Sequence, residues 1–317
     1  TAAVGAELAI VGVLVVVLLA VAVVTGNGHP ENLISRGVTA ADPTYFTVGG
    51  GLMAGMLMGL TTLVGFDSAA NLAEEAKDPF RSVPRAIVAS VVAAGVAGLL
   101  FLIALTVSIQ DVPAVSAAGS PVAAIIRGQL GPGWEAILLA GIAFAIFGAG
   151  MVVMAACARQ AFAMARDGRF PAARLMSRVK PLTQTAIAAT VLIVVVGAVL
   201  MVALPGAALL QLIVAGTILP ALIYGAIVVL YLCVRRRLSA RAGSFSLGRG
   251  ELPVAIAALV WIAVAVVALV TPPDALVPSL VVVGLLVLGA GVFAVMLVRT
   301  PAVLDAEPEG GAAVDLR

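Results

Sequence analysis

The sequence predicts an all-α protein that crosses a membrane several times, and three observations support this prediction. Apolar residues make up 62% of the 317 residues and charged residues only 11%, whereas a soluble domain is about 45–50% apolar and about 25% charged. Apolar runs recur along the chain, and each approaches the roughly 20 residues that a helix needs to cross about 30 Å of hydrocarbon. These runs are apolar throughout rather than alternating with period two, which argues against the strands of a membrane barrel.

We predict eight membrane-spanning helices from these runs, all within one transmembrane domain over 1–298. The tail at 299–317 contains Gly, Ala and acidic residues with little apolar surface to bury, so we expect it to be disordered. The predicted helices cover approximately 4–24, 46–76, 84–109, 135–165, 184–204, 206–234, 252–271 and 276–298.

The lysines and arginines predict which loops face the cytoplasm, because cytoplasmic loops are enriched in both. If the first helix starts in the cytoplasm, all 18 basic residues except Arg36 and Arg127 fall on that side. We therefore predict a multi-pass protein of the plasma (inner) membrane with both ends in the cytoplasm. The net charge of +2 gives no reason to expect nucleic-acid binding.

The first predicted helix begins almost at the start of the chain. Its Glu7 lies near the inner boundary and either reaches water by snorkelling or titrates within a cavity. The chain opens with Thr1 and shows no signal-peptide pattern, which we interpret as a segment of a longer protein.

The second predicted helix is too long for one straight crossing and carries polar groups in its second half. Gly51, Gly55 and Gly59 form a small-residue face suited to close helix packing. Gly65 and Asp67 follow, and because glycine weakens a helix by about 1 kcal/mol relative to alanine, we predict a break near 65–68. Transporters bind substrates and coupling ions at such breaks, where freed backbone groups line a cavity. The alternative is a packing kink in which Asp67 bonds to a neighbouring helix.

The next segment contains acidic and basic residues in a cluster that we place at the membrane interface, with Glu74 and Glu75 at its start. We expect Pro84 to begin the third helix, where its missing N–H costs nothing. The outer loop at 110–134 either contains a short helix from near Ser120 or is a loop packed on the outer face.

The fourth predicted helix ends in a basic segment. Arg159 and Arg166 are about two turns apart and share one face, and Gly168 and Pro171 then prevent the helix from continuing. Two interpretations stay open for the arginines: an ion-pair network at an inner gate, or anchoring on the cytoplasmic side.

The sixth predicted helix contains Gly216, Thr217 and Pro220, which predict a kink. Thr217 either lines a cavity or bonds to another helix. We interpret Tyr224 and Trp261 as packing or interface residues.

Enzyme chemistry is not expected, because the chain has one His, two Cys and no HExxH or GxSxG pattern. We predict no catalytic residue, no metal site and no cofactor.

Three ordered segments resemble motifs of amino acid permeases of the amino acid–polyamine–organocation superfamily, within the amino acid/choline/GABA permease branch. The first is similar to the sixth-helix signature of that family, and the second to the end of its eighth helix. The third is similar to the loop into its eleventh helix. Their sequences are GFDSAANLAEEAKDPFRSVPRA at 65–86, ARQAFAMARDGRFP at 158–171 and SFSLGRGELPVAIAALVW at 244–261.

The resemblance implies two inverted five-helix repeats plus two extra C-terminal helices. The eight predicted helices then correspond to family helices five to twelve, so the N-terminal helices of the same transporter are expected as a partner of this segment. The resemblance also places a substrate at Gly65, Phe66, Asp67 and Ser68, with Phe66 as an aromatic lid and Asp67 attracting an amine or organising a gate.

The resemblance finally implies secondary active transport of amino acids or related amines such as GABA or choline. The paired hydroxyls that hold sodium in relatives have no counterpart at 155–158, so proton coupling or exchange is expected. The candidates for coupling or gating are Glu7, Asp67, Glu74, Arg159 and Arg166. The alternative is a truncated relic without transport activity, or an accessory membrane subunit.

Overall fold

The computed structural model describes residues 2–62, 64–179, 186–204, 206–237, 245–272 and 275–299. Helix accounts for 82% of the structure, and these ranges contain no β-strand. The predicted all-helical class is therefore confirmed. The tail that was predicted to be disordered lies outside the described residues, apart from Arg299.

Eleven α-helices occur in the described ranges. They are α1 (Ala2–Thr25), α2 (Gly51–Thr62), α3 (Pro79–Val107), α4 (Val112–Ala117), α5 (Pro121–Leu130), α6 (Pro132–Arg166), α7 (Ala173–Met176), α8 (Ile187–Ala203), α9 (Ala207–Val234), α10 (Glu251–Val270) and α11 (Leu276–Arg299). A ten-residue 3₁₀ helix follows α2 at Phe66–Glu75, and shorter ones occur at Pro30–Leu33, Gly37–Thr39 and Gly248–Gly250.

Six of the described helices are long and apolar enough to span a membrane, namely α1, α3, α6, α9, α10 and α11. The other two predicted crossings are shorter. Helix α8 is apolar but has 17 residues, and α2 has 12. At 1.5 Å per residue α2 is only about 18 Å long, which cannot cross the hydrocarbon alone. The structure thus supports a multi-pass membrane protein with six spanning helices among the described residues, and the count of eight is not confirmed.

The chain divides into two compact units, and the first contains Thr1–Tyr45 and Ala89–Val153. Its core joins α1, α3, α5 and α6. The side chains buried there are Leu14, Leu18, Ala104, Leu105, Ile125, Ile126 and Leu138. Helix α5 is the short helix that was one of two alternatives for the outer loop. Ser120 precedes it, and its two isoleucines explain why the segment folds as a helix against this core.

A loop in the first unit binds the end of α3. The last carbonyls of a helix have no partner within the helix. Here the His29 N–H donates to the Val107 carbonyl at 2.8 Å. The Asn32 side-chain amide donates to the carbonyls of Thr106 and Ile109, at 3.3 and 3.0 Å. The connection between α1 and α2 therefore supplies the donors that α3 lacks at its end.

The second unit contains Phe46–Val88 and Met154–Arg317. Helix α9 is its centre, because it packs against both α10 and α11, and α2 contacts α9 and α10. The buried core consists of Ala215 and Ile218 from α9 with Leu269 and Val282 from the two C-terminal helices.

The prediction that Pro84 begins the third helix is wrong, because α3 starts at Pro79 and runs through Pro84. A proline inside a helix leaves the carbonyl four residues earlier without its usual N–H donor. That carbonyl belongs to Phe80, and it accepts a hydrogen bond from the Phe245 N–H at 3.2 Å. A donor from the connection between α9 and α10 thus replaces the one that proline lacks. A second proline, Pro220, also lies inside a helix, because α9 runs from Ala207 to Val234.

Candidate functional site

The backbone changes direction between α2 and the 3₁₀ helix that follows it. Gly65 has φ 90° and ψ 8°, a left-handed conformation that glycine adopts without steric cost. The 3₁₀ helix starts at the next residue, and the Ser68 N–H donates to the Gly65 carbonyl at 3.1 Å. A Cβ atom at position 65 would meet nothing within 4 Å. The conformation itself, rather than crowding, therefore calls for glycine.

The residues just after the break contact Tyr224 of α9. The Tyr224 hydroxyl donates to Asp67 Oδ1 at 2.7 Å. The Phe66 ring also packs on the Tyr224 ring, with centroids 4.9 Å apart and planes tilted by 34°. All three side chains are half-buried. One tyrosine thus binds the start of the 3₁₀ helix to α9 through a polar and an aromatic contact.

A cavity of about 660 Å³ adjoins this contact. Its walls come from α2, α9 and α10, and nearly all of the lining side chains are apolar. The lining residues are Met56, Gly59, Leu60, Val64, Phe66, Thr217, Ala221, Tyr224, Ile227, Val228, Ala258, Trp261, Ile262, Ala265 and Leu269.

The two hydroxyl groups in the wall already have partners. Thr217 Oγ1 donates to the Ile213 carbonyl of its own helix at 3.3 Å, and Tyr224 donates to Asp67. The Trp261 indole is the remaining polar group of the lining. The cavity therefore suits hydrocarbon or an aromatic group, and the carboxylate of Asp67 is connected to it through Tyr224.

The four residues predicted to bind substrate occupy different places around the break. Phe66 lines the cavity, and Asp67 is connected to it through Tyr224. Gly65 and Ser68 form the turn itself. The geometry gives each residue a distinct position, and the roles of the four residues toward a substrate stay a prediction.

The remaining site candidates are placed only in part. Glu7 lies in α1 and Glu74 in the 3₁₀ helix, but both side chains are outside the described part of the structure. Arg159 and Arg166 lie on α6, and Arg166 Nε is 3.4 Å from Asp167 Oδ1. The predicted gate network of the two arginines stays a prediction. In the described residues, no three His, Cys, Asp or Glu side chains converge as metal ligands.

Tyr224 was predicted to be a packing or interface residue and not a site residue. Tyr224 does pack, on Phe66, but it also donates to the acidic group at the break. The one available signal was its position one turn after Pro220, on the helix with the predicted kink. Trp261 was also assigned to packing or an interface, and the structure places it in the cavity wall with 57% of its surface exposed.

The fold and the site define a multi-pass helical membrane protein with a discontinuous helix beside an apolar cavity. The amino acid permease family matches residues 2–297, and the chain belongs to that family. The resemblance to this superfamily of permeases is thereby confirmed, and the family and its relatives are transporters rather than enzymes.

Curated relatives match parts of the chain. A GABA-specific permease of Saccharomyces cerevisiae is 35% identical over 130 residues, which are 40% of this chain and 23% of that protein. An amino-acid permease BAT1 homolog of Oryza sativa is 26% identical over 223 residues, 66% of this chain and 42% of that protein. A choline transporter of S. cerevisiae is 37% identical over 120 residues, 37% of this chain and 21% of that protein. The matches span less than half the length of these relatives.

Proposed function

We propose that this chain belongs to a secondary active transporter that moves amino acids or related amines across the membrane by alternating access. The observation that carries the proposal is the break at Gly65, followed at once by an acidic group bound to Tyr224. Discontinuous helices of this kind form substrate and ion sites in transporters. The permease, GABA and choline relatives support the same substrate class.

Each residue of the break has a distinct role in this proposal. Gly65 turns the chain so that backbone groups face the cavity. Phe66 covers the apolar cavity and contacts the hydrocarbon part of the substrate. Asp67 attracts the substrate's ammonium group. Tyr224 holds the side-chain carboxylate of Asp67 in place until the substrate arrives. Ser68 completes the turn through its N–H bond to Gly65.

We propose proton coupling or substrate exchange rather than sodium coupling, since the Ala155–Ala158 stretch of α6 offers no side-chain hydroxyl. Asp67, Glu7 and Glu74 are the proposed titrating groups. The site acts together with further helices of the same transporter, in the plasma membrane and with both ends of this segment in the cytoplasm. No described feature favours the alternative of a transport-incompetent relic or accessory subunit.

Reconstituted transport tests this function directly. The complete transporter in liposomes is expected to take up or exchange radiolabelled amino acids, GABA or choline. Asp67→Asn and Tyr224→Phe are each expected to slow transport about tenfold, as one lost charge-assisted hydrogen bond allows. Tyr231→Phe is the matched control and should retain the wild-type rate, because Tyr231 lies on the same helix and bonds to the carboxylate of Glu251 but is outside the cavity lining.

Three results would contradict different parts of the proposal. Absence of uptake or exchange for every tested amino acid and amine argues against the function itself. Normal transport by Asp67→Asn from pH 5 to 8 leaves the function intact but removes Asp67 from the mechanism. If Tyr231→Phe slows transport as much as Tyr224→Phe, the slower transport reflects a general disturbance of α9 and not the loss of the Tyr224–Asp67 bond.

A further inference from the structure

A second cavity of about 660 Å³ lies in the second unit, away from the break. Helix α7, the residues just after it and one face of α8 form its walls. All but one of the lining side chains are apolar, and the exception is Arg178. Its chemistry therefore combines a hydrocarbon surface with one cation.

The apolar part of the cavity is a stripe along α8. The residues that line it occur at positions 187, 188, 191, 192 and 195, the spacing of one helix face. At 1.5 Å per residue the stripe is about 12 Å long. Leu175 on α7 faces it from the other wall, and Leu175, Val191 and Val195 are 50–52% exposed. These side chains form a groove long enough for part of an acyl chain.

The charged part of the cavity has no acidic partner within the described structure. Arg178 and Arg174, one turn apart, are both exposed, and neither forms an ion pair with a described residue. No acidic residue occurs from 168 to 179. Arg174 and Arg178 therefore place positive charge without a described acidic partner beside a hydrocarbon groove. A guanidinium group matches a phosphate geometrically, because its N–H donors form a planar fork.

We propose that this cavity binds one anionic phospholipid, with an acyl chain along the α8 stripe and the phosphate at Arg178. The membrane supplies this ligand at the depth where an apolar helix face meets a basic segment, and basic pockets beside membrane helices bind acidic headgroups. A zwitterionic lipid carries its own cation and gains less from Arg174 and Arg178. Inorganic phosphate matches the charge but leaves the groove unfilled.

Native mass spectrometry on the purified full chain in detergent tests the proposal. The chain is titrated with phosphatidylglycerol and, separately, with phosphatidylcholine of the same acyl composition. We expect at least about fivefold tighter binding of phosphatidylglycerol, and a loss of about fivefold in Arg178→Gln, as expected for one basic contact near a membrane surface. Arg85→Gln is the matched control, because Arg85 is also exposed near the start of an apolar helix but lines neither cavity.

A second pair of variants tests the groove independently of charge. Val191→Trp fills the stripe, whereas Val194→Trp adds the same side chain at a residue of α8 that is equally exposed but outside the cavity, at 52% and 50% exposure. Only Val191→Trp is expected to weaken phosphatidylglycerol binding, again by about fivefold or more.

Four outcomes would overturn the proposal. The first is equal affinity for the two lipids. The second is an equal loss in Arg178→Gln and Arg85→Gln, which would make the attraction non-specific. The third is unchanged binding in Val191→Trp, which is not compatible with an acyl chain in the groove. The fourth is displacement of the lipid by inorganic phosphate alone at millimolar concentration, which would overturn the proposal for the same reason.

Discussion

The break at Gly65 and the proline inside α3 have opposite effects on their helices. At Gly65 the chain adopts a positive φ and continues as a 3₁₀ helix. At Pro84 the α-helix continues from Pro79 to Val107. Proline is the stronger helix breaker by intrinsic propensity, at about 3 kcal/mol against about 1 kcal/mol for glycine. The stronger breaker therefore interrupts nothing, and the weaker one marks the candidate site.

The difference lies in what each residue changes. Pro84 removes one N–H, and the carbonyl left without a donor is satisfied by Phe245. Gly65 changes the direction of the chain through its positive φ. A hydrogen-bond donor from another segment cannot restore the straight helix there. The residues after it are then held by new side-chain contacts to α9. A missing hydrogen bond is a local defect that a neighbour repairs, whereas a change of backbone direction places side chains where a straight helix would not.

The hydrogen bond after the break should give the largest effect on stability. A double-mutant cycle of Asp67→Asn and Tyr224→Phe is expected to show a coupling of about 1.5–3 kcal/mol, the contribution of a hydrogen bond to a charged acceptor. The measurement is the free energy of unfolding in detergent. A cycle of Asp67→Asn with Tyr231→Phe serves as the control and should be additive. Additive effects of Asp67→Asn and Tyr224→Phe would mean that this hydrogen bond does not stabilise the packing of the break against α9.

The conformation of Gly65 should give the next largest effect. Gly65→Ala is expected to lower the free energy of unfolding by about 1–2 kcal/mol, because an L-residue with left-handed φ has its Cβ too close to the backbone. Gly55→Ala is the matched control, since a Cβ at either position meets nothing within 4 Å but only Gly65 has positive φ. Gly55→Ala should be neutral or stabilising by up to about 1 kcal/mol. Equal effects at the two positions would contradict a conformational requirement at Gly65.

Pro84 should give the smallest effect. Pro84→Ala is expected to raise the free energy of unfolding by less than about 1 kcal/mol, well below the roughly 3 kcal/mol of helix propensity between the two residues. The reason is that the Phe80 carbonyl already has a donor. Thermal unfolding of the two proteins in the same detergent measures the difference. A gain near the full propensity value would mean that the Phe245 contact contributes nothing.

The sequence predicted the helical class and the position of the break, because both depend on local composition. An apolar run is visible in the sequence without knowledge of its contacts. Gly65 and Asp67 are likewise visible as unusual residues within an apolar segment. The resemblance of 65–86 to the permease signature also required only adjacent residues. The family match then confirmed it over nearly the whole chain.

The features that the sequence did not predict depend on distant partners. Tyr224 lies 157 residues from Asp67, and only the packing of α9 against the break brings them together. Pro84 was placed at a helix start because its missing N–H usually needs such a position. The donor that changes this, Phe245, comes from a connection far along the chain. The count of eight crossings was not confirmed because two of the predicted helices are short: the break leaves α2 with 12 residues, and α8 has 17.

The bond between Phe245 and Phe80 has a consequence for how this region can change through evolution. Both partners are main-chain atoms, so the contact persists whatever side chains occupy the two positions. Substitution of either phenylalanine by most other residues leaves the bond in place, and only proline at position 245 removes its donor. Alanine substitution at either position is therefore expected to leave this bond intact. The attachment of position 245 to α3 is thus independent of the side chain that this position carries.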